Sequence, residues 1–427
     1  MKLNRLQEPE IHEISKINIG SIEKLNLDNG LPLWLMNTGS QELVKIQIAV
    51  PAGTLYQSQA LISFFTNQLL KEGSKNFTAS EIAEKMDFYG AFFDSKTSRD
   101  LAYINVFSLN KHLDAVLEII ADVLVNPSMH QHELNTILDQ EKQAYQIRIQ
   151  KVKNIAQRKF NQFLFGNQHP YGSSAVLADY EQLKLESLQS FFKNNYQVND
   201  WQIYVSGKVN HETLKVLNRH FGQLHRGVQQ VQIPDLPLKN TFEAKAHFIE
   251  HKGAMQTALK MGKMSINRNH VDYPVLSLSQ TILGGFFGSR LMQNIREDKG
   301  YTYGIHSNII HHQQASYFSI SSELGGEFAE KALEEVHKEL KRLRSEKVDQ
   351  NELNLVKNYM AGSLLKSLNG PFALAEMMRM LNEYNLSPNY FSDYIQSFQA
   401  ASSEDVLQVA EKYLNESEMM SIMVGSK

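Results

Sequence analysis

The 427-residue sequence contains no cysteine, and that one absence excludes disulfides, thiolate metal ligands and thiol nucleophiles together. It also lacks an excess of charge of either sign. Its 43 Lys and Arg residues stand against 46 Asp and Glu, a net charge of -3, which argues against a nucleic-acid footprint and against a disordered acidic chain. Long apolar runs are missing as well: Met1–Ile14 is interrupted by Arg5, Glu8, Glu10, His12 and Glu13, so no signal-peptide core is expected there, and no stretch reads as a membrane span. The expected location is cytoplasmic. No G-x-S-x-G nucleophile elbow occurs. Gly284–Ser289 is glycine-rich, but it follows a predicted helix and lacks the lysine of a phosphate loop. What is present, 42% hydrophobic and 21% charged residues, is the composition of a soluble globular protein whose length predicts two large folding units or three small ones.

Taken in order, residues 24–53 read as two strands joined by a turn. Leu25–Gly30 leads into Leu31–Met36, and in Leu43–Val50 the apolar Val44, Ile46, Ile48 and Val50 alternate with polar neighbours. Gln57–Leu70 reads as a helix, and Thr78-Ala79-Ser80-Glu81 has the form of a capping box opening a second one. Strands are predicted at Ala91–Ser95 and Leu101–Leu109, helices over Lys111–Val125 and His130–Phe165, then a helix near Leu185–Asn194 and a strand ending at Gly207. The remainder repeats this plan, with strands at His247–Gly262 and Ala315–Ser322, a helix over Tyr273–Gly284, long helices over Glu327–Leu343 and Asp349–Leu368, and a closing helix and strand ending at Gly425. His132-Glu133-Leu134-Asn135 is answered by Asn351-Glu352-Leu353-Asn354, as expected of a duplicated unit. The predicted architecture is α+β: two homologous domains, 1–224 and 246–427, each a mainly antiparallel sheet covered by helices, facing each other across a cleft and joined by a linker at 225–245 that carries Pro234 and Pro237. Ligand sites favour such clefts.

The densest chemistry lies in Gly284–Gly304, G-G-F-F-G-S-R-L-M-Q-N-I-R-E-D-K-G-Y-T-Y-G. A glycine-rich turn opens a short helix with Leu291, Met292 and Ile295 on one side and Arg296 near its end, and Gly300 leads into a strand with Tyr301 and Tyr303. A guanidinium and a phenol hydroxyl both donate to a peptide carbonyl or to the oxyanion formed when water attacks it. The bland reading of the same residues is an arginine paired with Glu297 or Asp298 and a tyrosine packed on its sheet.

With Leu25–Gly30, His169-Pro170-Tyr171-Gly172 and Gly284–Gly304, nearly the whole chain resembles the pitrilysin/insulinase zinc peptidases, in particular the branch of the processing-peptidase subunits and their bacterial relatives. The resemblance implies a substrate-binding role for Arg296 and Tyr303. It also implies a zinc site on an inverted H-x-x-E-H motif, in which two imidazoles one helical turn apart hold the metal and the glutamate between them activates its water. Anchoring on Gly73-Ser74 places Phe64 and Gln68 at the histidine positions and Asn67 at the glutamate; a shift of one residue gives Ser63, Thr66 and Asn67. The third ligand position falls near Ala144, one turn from Glu141, which reads as a solvated helix residue. Phenyl and carboxamide groups do not replace zinc ligands. No cofactor is therefore expected on this chain, zinc being expected only in a partner.

Other histidines read as structural. His211-Glu212-Thr213-Leu214-Lys215 has lysine where H-E-x-x-H needs its second histidine and reads as an exposed helix start. His306, His311 and His312 are surface or hairpin residues, because neighbours on a strand face opposite ways. The function implied is a non-catalytic subunit that presents Arg296 and Tyr303 to an extended peptide, while a zinc-bearing homologue supplies metal and base. A homodimer is the other expected assembly, and a scaffolding protein with no part in proteolysis is the alternative function.

Overall fold

The computed structural model describes residues 20–227, 230–234, 236 and 244–426. Met1–Ile14 and much of the predicted linker 225–245 lie outside the described residues. The chain forms a six-stranded and a five-stranded sheet. The first contains β1 (Glu23–Asn26), β2 (Pro32–Asn37), β3 (Leu43–Val50), β4 (Phe92–Thr97), β5 (Ala102–Leu109) and β6 (Gln202–Gly207), in the order β1-β2-β6-β3-β5-β4. The second contains β7 (Ala246–Glu250), β8 (Gln256–Ser265), β9 (Thr302–His311), β10 (Ser316–Gly325) and β11 (Met420–Gly425), in the order β7-β11-β8-β10-β9. Leaving β1 aside, the two orders are the same. In both sheets the last strand runs parallel to the first, β2 with β6 and β7 with β11, and the other pairings are antiparallel. The duplication is thus visible in topology.

Three sequence expectations change. β2 and β3 do not form a hairpin, because β6 lies between them; the register of a parallel neighbour far along the chain leaves no local mark. The predicted strand His247–Gly262 is two strands that turn at His251–Met255 and are separated by β11. The predicted helix His130–Phe165 is two helices, Gln131–Arg148 and Val152–Phe165, broken at Ile149–Lys151 with no proline or glycine to announce the break. The capping box at Thr78 and Glu81 forms as expected.

The helix break matters because it sends Val152–Phe165 onto the other half of the molecule. Val44, Ile46, Ile48 and Val50 face the first core with helices Leu113–Val125 and Leu185–Asn195. Leu259, Met261, Phe318 and Ile320 do the same for the second sheet. The opposite face of the second sheet, with Ala258, Tyr317, Ile422 and Val424, is covered by Val152, Ala156, Phe160 and Leu164. Reciprocally, Pro371–Glu383 from the second half covers Met36, Ala49 and Tyr204 of the first sheet through Met378. The two covering helices start at 152 and 371 and their predecessors at 131 and 350, a shift of 219 residues in both cases. Each half therefore supplies the second layer of its counterpart. Among the described residues no helix is long and apolar enough to cross a membrane.

This exchange explains why polar residues lie within β3. Lys45 and Gln47 alternate with the core residues but are buried, because the Pro371–Glu383 helix covers them. Lys45 pairs with Glu376, and the Gln47 amide donates to Asn105 at 2.6 Å and to Glu376 at 3.1 Å. Arg379 makes two bonds to Glu383, at 2.7 and 2.6 Å, bonds Glu376 at 3.0 Å, and lies 4.5 Å from the Tyr103 ring centroid.

Candidate functional site

The helix that carries Phe64, Asn67 and Gln68 spans Ile62–Leu69, shorter than the predicted Gln57–Leu70, and is entered through Leu61 in the left-handed region at φ 76°. Phe64 packs edge-to-face on Phe65, 5.2 Å between centroids, at the margin of the first core. Asn67 is fully buried, and its side-chain oxygen accepts a bond from the Tyr196 hydroxyl at 3.1 Å while its backbone carbonyl accepts one from Ser95 at 3.2 Å. Gln68 is half-buried. In the alternative register Ser63 donates to the Ala52 carbonyl and Thr66 is buried. Ala144 lies half-buried on Gln131–Arg148, and Glu141 beside it pairs with Arg148 at 3.0 Å. Among the described residues no three His, Asp or Glu side chains converge to hold an ion. The donor set does not fit zinc: at the ligand positions stand the Phe64 ring without a lone pair, the Gln68 carboxamide and the Ala144 methyl group, and at the position of the base stands Asn67, whose amide oxygen is already engaged in the core. No chemical step is assigned to a metal on this chain.

Arg296 and Tyr303 leave a single turn. Helical residues Met292–Asp298 end where Gly300 N–H donates to the Arg296 carbonyl at 3.2 Å and Tyr301 N–H to that of Ile295 at 3.0 Å, with Gly300 at φ 66° reversing the chain into β9. Leu291, Met292 and Ile295 are buried, and they fix this turn against the second core. The Arg296 guanidinium lies 4.4 Å from the centroid of Phe287, itself 67% exposed, and 2.9 Å from Glu297. Tyr303 is 93% exposed near the start of the edge strand. Arg296 therefore does pair with Glu297, its own side chain 30% and that of Glu297 50% exposed, and Tyr303 is not packed on its sheet. The structure brings the two onto one connected turn, without a hydrogen bond between them, and does not bring either to Asn67 or Ala144 by any hydrogen bond or ion pair.

Tyr303 borders a cavity of about 610 Å³ between helix Val152–Phe165 and the second sheet, which also contains Lys260, Ser321 and His306. Lys260 is only 8% exposed, and burial pushes its ammonium down to about 8. Lys153, Glu323, His306 and Tyr303 are the other charged or titratable groups lining this space. Since the folded-state value lies below that of the unfolded chain, the unfolded chain holds more protons between the two. Stability should then rise with pH from about 8 towards 10, by up to about 3 kcal/mol for a shift of this size. Urea midpoints measured across that window should show the rise, and Lys260→Met should remove it.

A second cavity, about 580 Å³, lies between the β4–β5 turn, the β9–β10 turn and helix Pro371–Glu383. Asp100 is buried there, accepting bonds from Tyr171 and from Gln313 N–H at 3.2 Å, and burial raises its carboxyl above the usual range. His311 and His312 border it and are pushed down to about 3 and about 4, chiefly by burial. They are hairpin residues as expected but are partly buried, His311 bonding Ser316 at 2.8 Å and Tyr273 at 3.1 Å. His211 opens an exposed helix capped by Asn210. Lys260, Asp100 and Arg379 were not singled out from the sequence. One lysine within the apolar run Leu259–Met261 is the only local signal among them, since the others acquire their setting from the opposite half.

Two family descriptions match the chain: "Insulinase (Peptidase family M16)" over residues 34–169 and "Peptidase M16 inactive domain" over residues 182–360. An uncharacterized zinc protease YmxG of Bacillus subtilis is 23% identical over 356 residues, 81% of this chain and 84% of that one. A protein of Helicobacter pylori described as non-peptidase homolog YmxG is 24% identical over 302 residues, 69% of this chain and 68% of the other. Among solved structures, a peptidase M16 inactive domain from Pseudomonas fluorescens superposes with a TM-score of 0.86 at 23% identity, covering 95% of this chain and 98% of that one. A Helicobacter pylori protease gives 0.85 at 18%, covering 95% and 99%.

Proposed function

The chain belongs to the M16 (insulinase) peptidase family, and on that premise we propose that it is the non-catalytic, substrate-binding subunit of a two-chain peptidase. The observation that carries the reading is the contrast between one helix and one turn. The motif helix has Phe64, Asn67 and Gln68 where metal ligands and base belong, and Asn67 is committed to Tyr196. The Arg296–Tyr303 turn is intact, with a 93% exposed phenol and a guanidinium held on a surface ring. An extended peptide laid along the edge strand β9 would bond main chain to main chain, which is tolerant of sequence, while Arg296 and Tyr303 donate to its carbonyls. The partner is a homologous chain bearing H-x-x-E-H. The division into two peptidase-like domains, with the boundary at 225–245, and a cytoplasmic location belong to the same proposal.

The lone chain tests this reading. Purified without chelator and dialysed against zinc, it is expected to retain well under one equivalent of metal and to leave unfolded peptides uncut. Stoichiometric zinc together with hydrolysis would overturn the proposal. A chain that neither binds peptide nor associates with a zinc-bearing homologue would point instead to scaffolding.

A further inference from the structure

Lys260 of β8 stands directly opposite Ser321 of β10, and Ser321 directly opposite His306 of β9. Since alternate residues share a face, these three form one row across adjacent strands, on the side away from Leu259 and Met261 of the core. The row is the floor of the 610 Å³ cavity bordered by Tyr303. Lys260 is more than nine-tenths buried, its ammonium 5.6 Å from the Phe160 ring centroid, and among the described residues no carboxylate lies within ion-pair distance of it. The other cation of the cavity, Lys153, is matched by Glu323 at 3.2 Å. A buried ammonium without a counter-charge is costly to keep. The opposite wall includes Lys153 and Asn154, in the first turn of the 14-residue helix Val152–Phe165, which has no side-chain cap and no acidic residue in that turn. Its amide dipoles add positive potential on the same space.

We propose that this cavity is a carboxylate-binding subsite, with Lys260, Ser321 and His306 as donors on its floor and the first turn of helix Val152–Phe165 as its wall. A monoanion matches one unbalanced ammonium, whereas a phosphate dianion would require a second. The inference rests on the reading that this chain binds an extended peptide: a peptide following β9 past Tyr303 enters the cavity, whose 610 Å³ is within the range of small-ligand pockets. The carboxylate is either the peptide's C-terminus or an acidic side chain, and the subsite would select for peptides that offer one there.

Three versions of one extended peptide separate these sources when titrated against the full chain: a free C-terminus without internal acids, the C-terminal amide, and the amide with one internal glutamate. A preference of about tenfold for the first or the third over the plain amide is expected, and it identifies the source. Lys260→Met should abolish that preference, whereas Arg296→Ala should weaken all three peptides alike. Equal affinities for the three, together with an unaffected Lys260→Met and a weakened Arg296→Ala, would overturn the subsite and leave the proposed function standing. If no peptide binds, the proposed function fails, and the subsite is read by thermal unfolding in acetate against chloride at equal ionic strength. Acetate should raise the midpoint of the wild-type chain by a few degrees and leave Lys260→Met and Lys260→Gln unmoved; equal midpoints in all three would refute it.

Discussion

Replacing Arg379 by alanine is expected to destabilise the protein by about 3–5 kcal/mol, because a buried carboxylate then loses its hydrogen-bonded counter-charge. The side chain of Glu383 is 7% exposed and takes two bonds from Arg379, at 2.7 and 2.6 Å. Burial already raises its carboxyl above the usual range against the pull of Arg379. Removing the guanidinium raises it further. A carboxyl raised in the folded state favours folding while protonated and loses that advantage as pH rises, so the variant should be weakest near pH 8 and partly recover near pH 5. The loss falls on the interface that Pro371–Glu383 makes with the first sheet, since the same guanidinium lies on Tyr103 and bonds Glu376, the partner of Lys45. Urea unfolding followed by circular dichroism should show an early transition of the first half. An unchanged midpoint at pH 8 would mean that this pairing does not hold the halves together.

The second large effect is on activity and leaves the fold alone. In the reconstituted two-chain peptidase, Arg296→Ala should lower kcat/KM by about a hundredfold, the loss typical of one preorganised donor removed from a developing oxyanion or a substrate carbonyl. Stability of the chain should fall by no more than about 1 kcal/mol, because the Arg296–Glu297 pair is partly solvated, at 30% and 50% exposure, and such pairs contribute little. Arg296→Lys should restore only part of the rate, since an ammonium lacks the planar fork and stacks poorly on Phe287. Tyr303→Phe should act in the same direction, as it removes a hydroxyl that is 93% exposed along with its ring and supports no packing. A full rate from Arg296→Ala in an intact complex would reject the role of this turn.

Much of this was legible in the sequence because it is local. The capping box at Thr78 and Glu81, the alternation in Leu43–Val50 and the helix–glycine–strand pattern around Arg296 all depend on residues a few positions apart, and all appear as read. The chemistry of Phe64 was legible too, since a phenylalanine is no metal ligand in any fold. The exchange of covering helices was not. Nothing in Ile149-Gln150-Lys151 breaks a helix by propensity, so the turn there is imposed by what Val152–Phe165 packs on. For the same reason Lys45 and Gln47, polar positions in an alternating strand, give no sign of the helix that buries them. Lys260 acquires its meaning only from Ser321 and His306, residues brought beside it by strand pairing. Chemistry that needs both halves at once is written in no single stretch.

The most direct test of the proposed division of labour is the rate of hydrolysis of one extended peptide by an H-x-x-E-H homologue, measured with and without this chain. Zinc bound by the homologue alone, little cleavage by either chain alone and a gain of a hundredfold or more on mixing are the expected results. A homologue that cuts equally fast by itself, or a mixture whose rate is merely the sum of its parts, would contradict the claim that this chain contributes the substrate-binding half of the site.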